Sequence, residues 1–139
     1  MMFKSQHISV SINRPPDQVY EFASNTENLP GWAAGFGGSI KNVNGDWIAK
    51  SPMGRVKVKF AEKNKFGILD HDVTLPSGAK FYNPMRVFPN NDGSELIFTL
   101  YRRPDMSDQM FDEDAEAVKR DLEKLKTLLE NMVLINSAL

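Results

Sequence analysis

The sequence contains no cysteine among its 139 residues. This absence excludes disulfides, thiolate metal sites and a cysteine nucleophile. Histidine is almost as scarce, because the chain has two, His7 and His71. Two histidines argue against a multi-histidine metal centre, so the sequence predicts neither a bound metal nor a cofactor.

The chain also lacks an excess of basic residues. Its 17 Lys and Arg residues stand against 18 Asp and Glu residues, which gives a formal net charge of −1. A nucleic-acid-binding surface needs positive charge to neutralise phosphates, so we expect no nucleic-acid partner. No apolar run approaches the roughly 20 residues of a membrane span, and the first residues contain no apolar signal-peptide core. We therefore expect a cytoplasmic protein without a membrane span.

The residues that are present are typical of a globular domain. Hydrophobic residues make up 41% of the chain and charged residues 25%, proportions that argue against disorder. A chain of this length fits one domain and can bury a substantial core. We predict a single domain over residues 1–139.

The N-terminal pattern predicts a strand followed by helical turns. Ile8, Val10 and Ile12 alternate with polar residues and share one face of a half-buried strand. A short helix is predicted from Pro16 to about Ser24, since proline suits the first helical turn. A further helical turn follows, with Asn25 as its cap.

Alternating segments separated by turn residues then continue to the middle of the chain and beyond. They predict strands near residues 39–43, 47–50, 55–60, 68–75, 81–87 and 95–102. Pro84 lies inside one of these segments, where it predicts a bulge or an interrupted ladder. Strands joined by tight turns form antiparallel meanders.

The last third of the chain predicts one long amphipathic helix, from about Ser107 to Met132. Ser107 or Asp105 can cap its start. Acidic residues crowd the early turns and basic residues the later ones, as the helix dipole favours. Apolar residues recur at intervals of three and four along one stripe, which comprises Phe111, Ala115, Val118, Leu122, Leu125, Leu129 and Met132.

These elements predict an α+β fold. A curved antiparallel sheet of about seven strands would wrap around the long C-terminal helix, with two short helices after the first strand. Such an arrangement tends to leave a cavity between helix and sheet, which is typical of a container for a small molecule.

Several segments carry a resemblance to a known superfamily: Ile8–Phe22, Asn28–Trp32, Leu69–Val73 and the final helix from Asp108 to Glu130. In these segments the chain resembles the helix-grip superfamily called SRPBCC, and most of all its small bacterial polyketide cyclase/dehydrase-like members. That superfamily includes lipid-transfer domains related to the steroidogenic acute regulatory protein and proteins like the birch pollen allergen. The resemblance implies the helix-grip fold and a hydrophobic ligand. It transfers no catalytic residue, because the sequence matches no characterised cyclase's catalytic set.

His71 is the main candidate for chemistry. It interrupts an apolar face that includes Leu69 and Val73, so its side chain should point toward the helix. It could act there as an acid or base near neutral pH, or it could be a buried histidine held by a neighbour. Asp70 and Asp72 alternate to the opposite face and are not natural partners for it.

The other predicted ligand-binding residues are mostly apolar. Asn83 could orient a polar ligand group or fill a gap left by Pro84. Phe36, in a glycine-rich stretch, suggests a lid, whereas Trp32 suits a core plug better. The full predicted set is Trp32, Phe36, Trp47, His71, Asn83, Met85, Phe98, Met110 and Phe111.

Three functions remain open from the sequence. The first is the binding of a small hydrophobic or amphipathic molecule, and the second is a cyclase-like enzyme that uses His71 as acid/base. The third is a protein-interaction module with a filled core. Ile97, Thr99 and Tyr101 face away from the predicted core face of their strand, which suggests a homodimer contact.

Overall fold

We describe a computed structural model of the chain, which covers residues 1–36 and 38–132. Its helices are α1 (Pro16–Ser24), α2 (Leu29–Trp32) and α3 (Asp108–Asn131), with single 3₁₀ turns at Thr26–Asn28 and Ala34–Phe36. Its strands are β1 (Ser5–Ile12), β2 (Ile40–Val43), β3 (Asp46–Ser51), β4 (Gly54–Phe60), β5 (His71–Thr74), β6 (Lys80–Asn83), β7 (Met85–Asn90) and β8 (Gly93–Tyr101). Within these residues no helix is both long and apolar enough to cross a membrane.

The strands form two antiparallel sheets. One sheet has the order β1-β8-β7 and the other the order β2-β3-β4-β5-β6. The predicted α+β helix-grip architecture is confirmed, with eight described strands rather than about seven. The described residues thus form two sheets around α3, where we expected one continuous sheet.

Pro84 is where the two sheets separate. The predicted strand 81–87 divides there into β6, which pairs with β5, and β7, which pairs with β8. Proline has no backbone N–H to donate to a ladder. Its carbonyl oxygen still accepts a hydrogen bond from the Thr99 N–H at 2.9 Å, so the chain crosses from one sheet to the other at this residue.

The predicted strand 68–75 is also shorter than expected. Its ladder covers only β5, because residues 68–70 lean toward the other sheet. Ile68 forms an isolated bridge with Arg86, and the Leu69 N–H donates to the Met85 carbonyl at 2.8 Å. This segment therefore joins the two sheets.

A carboxylate network, the Asp70 cluster, reinforces the same corner. The Asp70 carboxylate accepts hydrogen bonds from the Tyr82 hydroxyl at 2.9 Å and the Met85 N–H at 2.9 Å. It also accepts from Nε and Nη2 of Arg86, at 2.9 and 2.8 Å. The Arg86 hydrogen bonds contribute most to lowering the pKa of Asp70, to about 2. Because its partners come from β6 and β7, Asp70 ties together the strands on either side of Pro84.

Helix α3 begins as predicted, with the Ser107 side chain accepting a hydrogen bond from the Met110 N–H at 3.1 Å. Most of the predicted stripe faces the core: Phe111, Ala115, Leu122, Leu125 and Leu129 are buried, and Val118 is half-buried. Met132 is an exception at 40% exposure, because it lies beyond the last helical residue.

The C-terminal end of α3 is fastened to the end of β1 by three polar contacts. Lys126 Nζ donates to the carbonyl oxygen of Ser11 at 2.7 Å. The Glu130 carboxylate accepts from the Asn13 N–H at 2.7 Å, and Arg14 donates to the Glu130 carbonyl at 2.7 Å. The N-terminal half of the helix has no such contacts with β1 among the described residues, and part of its surface lines the cavity.

Candidate functional site

A cavity of about 370 Å³ lies between the N-terminal half of α3, α2 and the inner faces of both sheets. Volumes of this size fall within the usual range for small-molecule sites. Its wall is mostly apolar, with a few polar and charged side chains. The lining residues are Leu29, Trp32, Ala33, Phe36, Met53, His71, Val73, Phe81, Asn83, Phe98, Leu100, Arg103, Met106, Met110, Asp114, Ala117, Val118, Asp121 and Leu122.

Most of the predicted ligand-binding residues meet at this cavity. Those that line it are Trp32, Phe36, His71, Asn83, Phe98 and Met110. They come from α2, a 3₁₀ turn, β5, β6, β8 and α3, so the fold brings together residues far apart in the sequence. That they bind a ligand remains a prediction.

Three predicted residues, Trp47, Met85 and Phe111, lie outside the cavity wall. Met85 is fully buried in the core, directly opposite Phe98 in the β7–β8 ladder. Phe111 is 2% exposed and follows Met110 on α3, so the helical turn directs it into the core. Trp47 shares the inner face of its sheet, but Val58 stands between it and the cavity strands.

His71 lies on the cavity wall, as its alternation predicts. Its ring is tilted against Phe60, with centroids 4.8 Å apart, and meets Phe98 edge-on at 5.8 Å. Nδ1 is 3.1 Å from the carbonyl oxygen of Leu69. The residue is therefore held by its neighbours and also borders the cavity, so the two interpretations of His71 are compatible.

Burial lowers the pKa of His71 below its usual value, because an apolar site disfavours the charged imidazolium. The hydrogen bond to Leu69 and the nearby charges of Asp70 and Asp72 oppose this effect without cancelling it. The Asp70 carboxylate is occupied by the Asp70 cluster, in agreement with the prediction that it is not a dyad partner. The imidazole is consequently neutral at neutral pH.

Three charged residues of the cavity wall were missed by the sequence analysis. Arg103 places its guanidinium 3.6 Å from the centre of the Phe81 ring. Asp121 accepts a hydrogen bond from the Ala34 N–H at 3.2 Å. Burial raises the pKa of both Asp114 and Asp121, and the positive charge of Arg103 partly offsets this for Asp114.

A sequence signal for two of these charges does exist. Asp114, Val118 and Asp121 follow one another at intervals of four and three, so they share a helix face. The predicted stripe already included Val118. Because Asp114 and Asp121 lie on the same helix face as Val118, they border the cavity that Val118 borders.

Two further polar side chains at the site have unsatisfied hydrogen-bonding groups. The Trp32 indole N–H is buried without a hydrogen-bond partner among the described residues. Asn83 pairs with His71 through the backbone, and within the same residues its side chain makes no hydrogen bond. The amide therefore does not fill the gap left by Pro84, and it is available to the cavity.

The Arg103–Phe81 stack also lines a groove on the outer surface of the protein. Both residues, together with Asn83, line an outer groove of about 750 Å³ that includes Lys80 and Tyr101. The stack thus separates the cavity from this groove.

A third depression, of about 670 Å³, lies between α1 and residues 63–67, and its described wall shares no residue with the cavity. Within the described residues, no three metal-ligating side chains cluster together.

No protein-family model and no curated protein matches the sequence. Solved structures do resemble it. An uncharacterised protein from Bacillus thuringiensis superposes with a TM-score of 0.70 at 16% identity, covering 91% of this chain and 98% of that one. A START superfamily protein from Mycobacterium smegmatis gives 0.68 at 12% identity, with 93% and 99% covered.

Ara h 8.0201 is also similar, with a TM-score of 0.63 at 11% identity and coverage of 92% of this chain and 98% of that one. Likeness at such low identity concerns the fold. The chain has the helix-grip fold of the START and SRPBCC type, as its sequence resemblance predicts.

Proposed function

We propose that this protein binds a small hydrophobic or amphipathic molecule in the cavity between α3 and the sheets. The observation that carries the proposal is the cavity of about 370 Å³, whose wall is apolar apart from a few convergent polar side chains. Small-molecule sites have this composition, since apolar walls provide affinity and isolated polar groups fix orientation.

The likeness to a START superfamily protein supports the proposal by analogy of fold. A filled core, which the interaction-module alternative requires, has no support from this interior. The proposed partner is accordingly a small molecule. Location in the cytoplasm, the lack of a nucleic-acid partner and a homodimer through the outer face of β8 remain predictions from the sequence.

Native mass spectrometry of freshly purified full-length chain tests the proposal. We expect an adduct at one molecule per chain, which denaturing conditions release and which gives the ligand's mass. The matched comparison is Ala117→Trp, since Ala117 lines the cavity and a tryptophan there would occupy it. An adduct that persists undiminished in this variant would place the ligand elsewhere.

A second candidate function is catalysis with His71 as acid/base, favoured by the position of its ring on the cavity wall. Burial makes the ring a weaker base, because it lowers the pKa, but a neutral imidazole remains able to accept a proton. The compound released from the protein would be incubated with wild-type protein and with His71→Gln. Its conversion to a product by the wild type, and the absence of that conversion in the variant, would support catalysis. Unchanged recovery of that compound after prolonged incubation would contradict it.

A further inference from the structure

The two ring nitrogens of His71 have different surroundings. Nδ1 lies 3.1 Å from the carbonyl oxygen of Leu69. A carbonyl oxygen can only accept a hydrogen bond, so Nδ1 carries the proton in this contact. In the neutral ring Nε2 then holds a lone pair and can only accept.

Nε2 has no hydrogen-bond donor among the described residues, although Trp32 and Asn83 carry unused N–H groups on the same cavity wall. The aromatic rings of Phe60 and Phe98 pack against the imidazole, and among the described residues Nε2 makes no hydrogen bond. His71 is 7% exposed and lines the cavity. Nε2 is not one of the fully buried polar atoms that lack a partner, so it stays accessible, and a molecule in the cavity can donate to it.

We infer that the molecule bound in this cavity carries an O–H or N–H group, as an alcohol, a phenol or an amide does, and that this group donates a hydrogen bond to Nε2 of His71. This inference rests on the proposed function and specifies the class of ligand. A hydrocarbon or an ether would bury the lone pair of Nε2 without a donor, which is costly in a low-dielectric site. A carboxylate or a ketone would bring a second lone pair against the first.

The charges around the cavity agree with a hydrogen-bond donor. Asp114 and Asp121 line the same wall, and their carboxylates can accept hydrogen bonds, so they favour a ligand with donor groups and disfavour an anionic one. Arg103 is the cationic side chain of that wall, and it stacks on Phe81 and lies near Asp114. Burial of His71 keeps its ring in the neutral form that accepts.

A matched pair of probes tests the inference on the full-length chain. 2-Naphthol carries a hydroxyl, whereas 2-methoxynaphthalene keeps the ring and the oxygen but has no donor. We expect 2-naphthol to bind at least about tenfold more tightly in equilibrium dialysis at neutral pH. His71→Leu should make the two affinities equal. The control His7→Leu should preserve their ratio, because His7 is exposed on β1 and contacts Thr99 outside the cavity.

A spectrum of the wild-type protein provides a second readout that needs no variant. A long-range proton–nitrogen correlation spectrum should show His71 protonated at Nδ1. The Nε2 resonance should move on addition of 2-naphthol and stay in place with the methyl ether. Protonation at Nε2, or equal affinities for the two probes, would overturn the inference and leave the proposed function standing. Failure of 2-naphthol, its ether and naphthalene alike to bind would overturn both.

Discussion

The two halves of α3 share one apolar spacing but meet different surroundings. In the C-terminal half, Leu125 and Leu129 are buried against the sheet, and Lys126 and Glu130 bind the end of β1. In the N-terminal half the stripe is also buried at its start, but Val118 packs against the core on one side and borders the cavity on the other. The helix therefore contributes to the core along its length and forms a wall of the site as far as Leu122.

This difference shows that an apolar stripe predicts burial but does not predict what covers it. Leu122 marks the change, since it is 1% exposed and still lines the cavity. The two halves also differ in charge. Asp114 and Asp121 lie beside the cavity stripe, where burial raises their pKa values, whereas Glu130 is held by cationic and N–H donors that lower its pKa.

The largest effect should come from opening the packed half. Leu125→Ala removes a side chain with no exposure and leaves a void that the sheet cannot fill. We expect the free energy of unfolding to fall by about 2–5 kcal/mol, measured from the urea midpoint and slope. A loss below about 1 kcal/mol would contradict tight packing at this end.

The corner between the sheets gives the next effect. Asp70→Asn removes the charge that holds Arg86 and orders β6 and β7. We expect a loss of about 1–2 kcal/mol, a value reduced for the solvent that screens Arg86. Asp72→Asn is the matched control on β5, because the Asp72 side chain makes no hydrogen bond among the described residues. Equal losses in both variants would exclude a special role for the Asp70 cluster.

The acid dependence of stability follows from the same carboxylate. The pKa of Asp70 is about 2 in the folded chain, below the ordinary value of 3.8. Its contribution is therefore complete above pH 3.8 and is lost as the pH falls toward about 2. Urea unfolding across this range should show the loss in the wild type and a flatter profile in Asp70→Asn.

His71 should affect stability in a higher pH range. In the folded chain the pKa of His71 is lowered from 6.5, so below pH 6.5 the unfolded chain binds a proton at this residue that the folded chain does not bind. The contribution of the neutral His71 ring to the free energy of unfolding is therefore complete above pH 6.5 and declines as the pH falls below this value. Because His71→Leu removes this titration, its stability should vary less between neutral and mildly acidic pH. An identical slope in wild type and variant would contradict a buried neutral ring.

The smallest effect should come from the cavity half of α3. Val118→Ala trims a half-buried side chain that packs against the core on one side and borders the cavity on the other, so fewer contacts are lost than at Leu125. We expect a change below about 1 kcal/mol in the free energy of unfolding, against the larger loss in Leu125→Ala. Similar losses in both variants would abolish the distinction between the two halves.

Local signals in the sequence predicted much of the fold. The caps at Asn25 and Ser107 form the expected hydrogen bonds, and α1 has the expected bounds. Alternation placed His71 and Asn83 on the inner face correctly, since the period of a strand fixes which residues share a face.

Alternation does not specify which sheet a strand joins or how far along it a residue lies. Pro84 predicted an interruption, but the transfer of the chain to a second sheet depends on pairing partners distant in sequence. Trp47 shares its face with cavity residues and yet lies too far across the sheet to reach them. Arg103 follows β8 in a loop without periodicity, so its place over Phe81 had no sequence signal.

The central claim is that the cavity half of α3 borders a binding site, and the neutral dye N-phenyl-1-naphthylamine tests it most directly. Titration of the full-length chain should give saturable fluorescence enhancement at one site. Ala117→Trp, which fills the cavity, should abolish it, whereas Ala61→Trp, on an exposed residue after β4, should retain it. Absence of binding to the wild type, or equal binding to Ala117→Trp, would contradict the account.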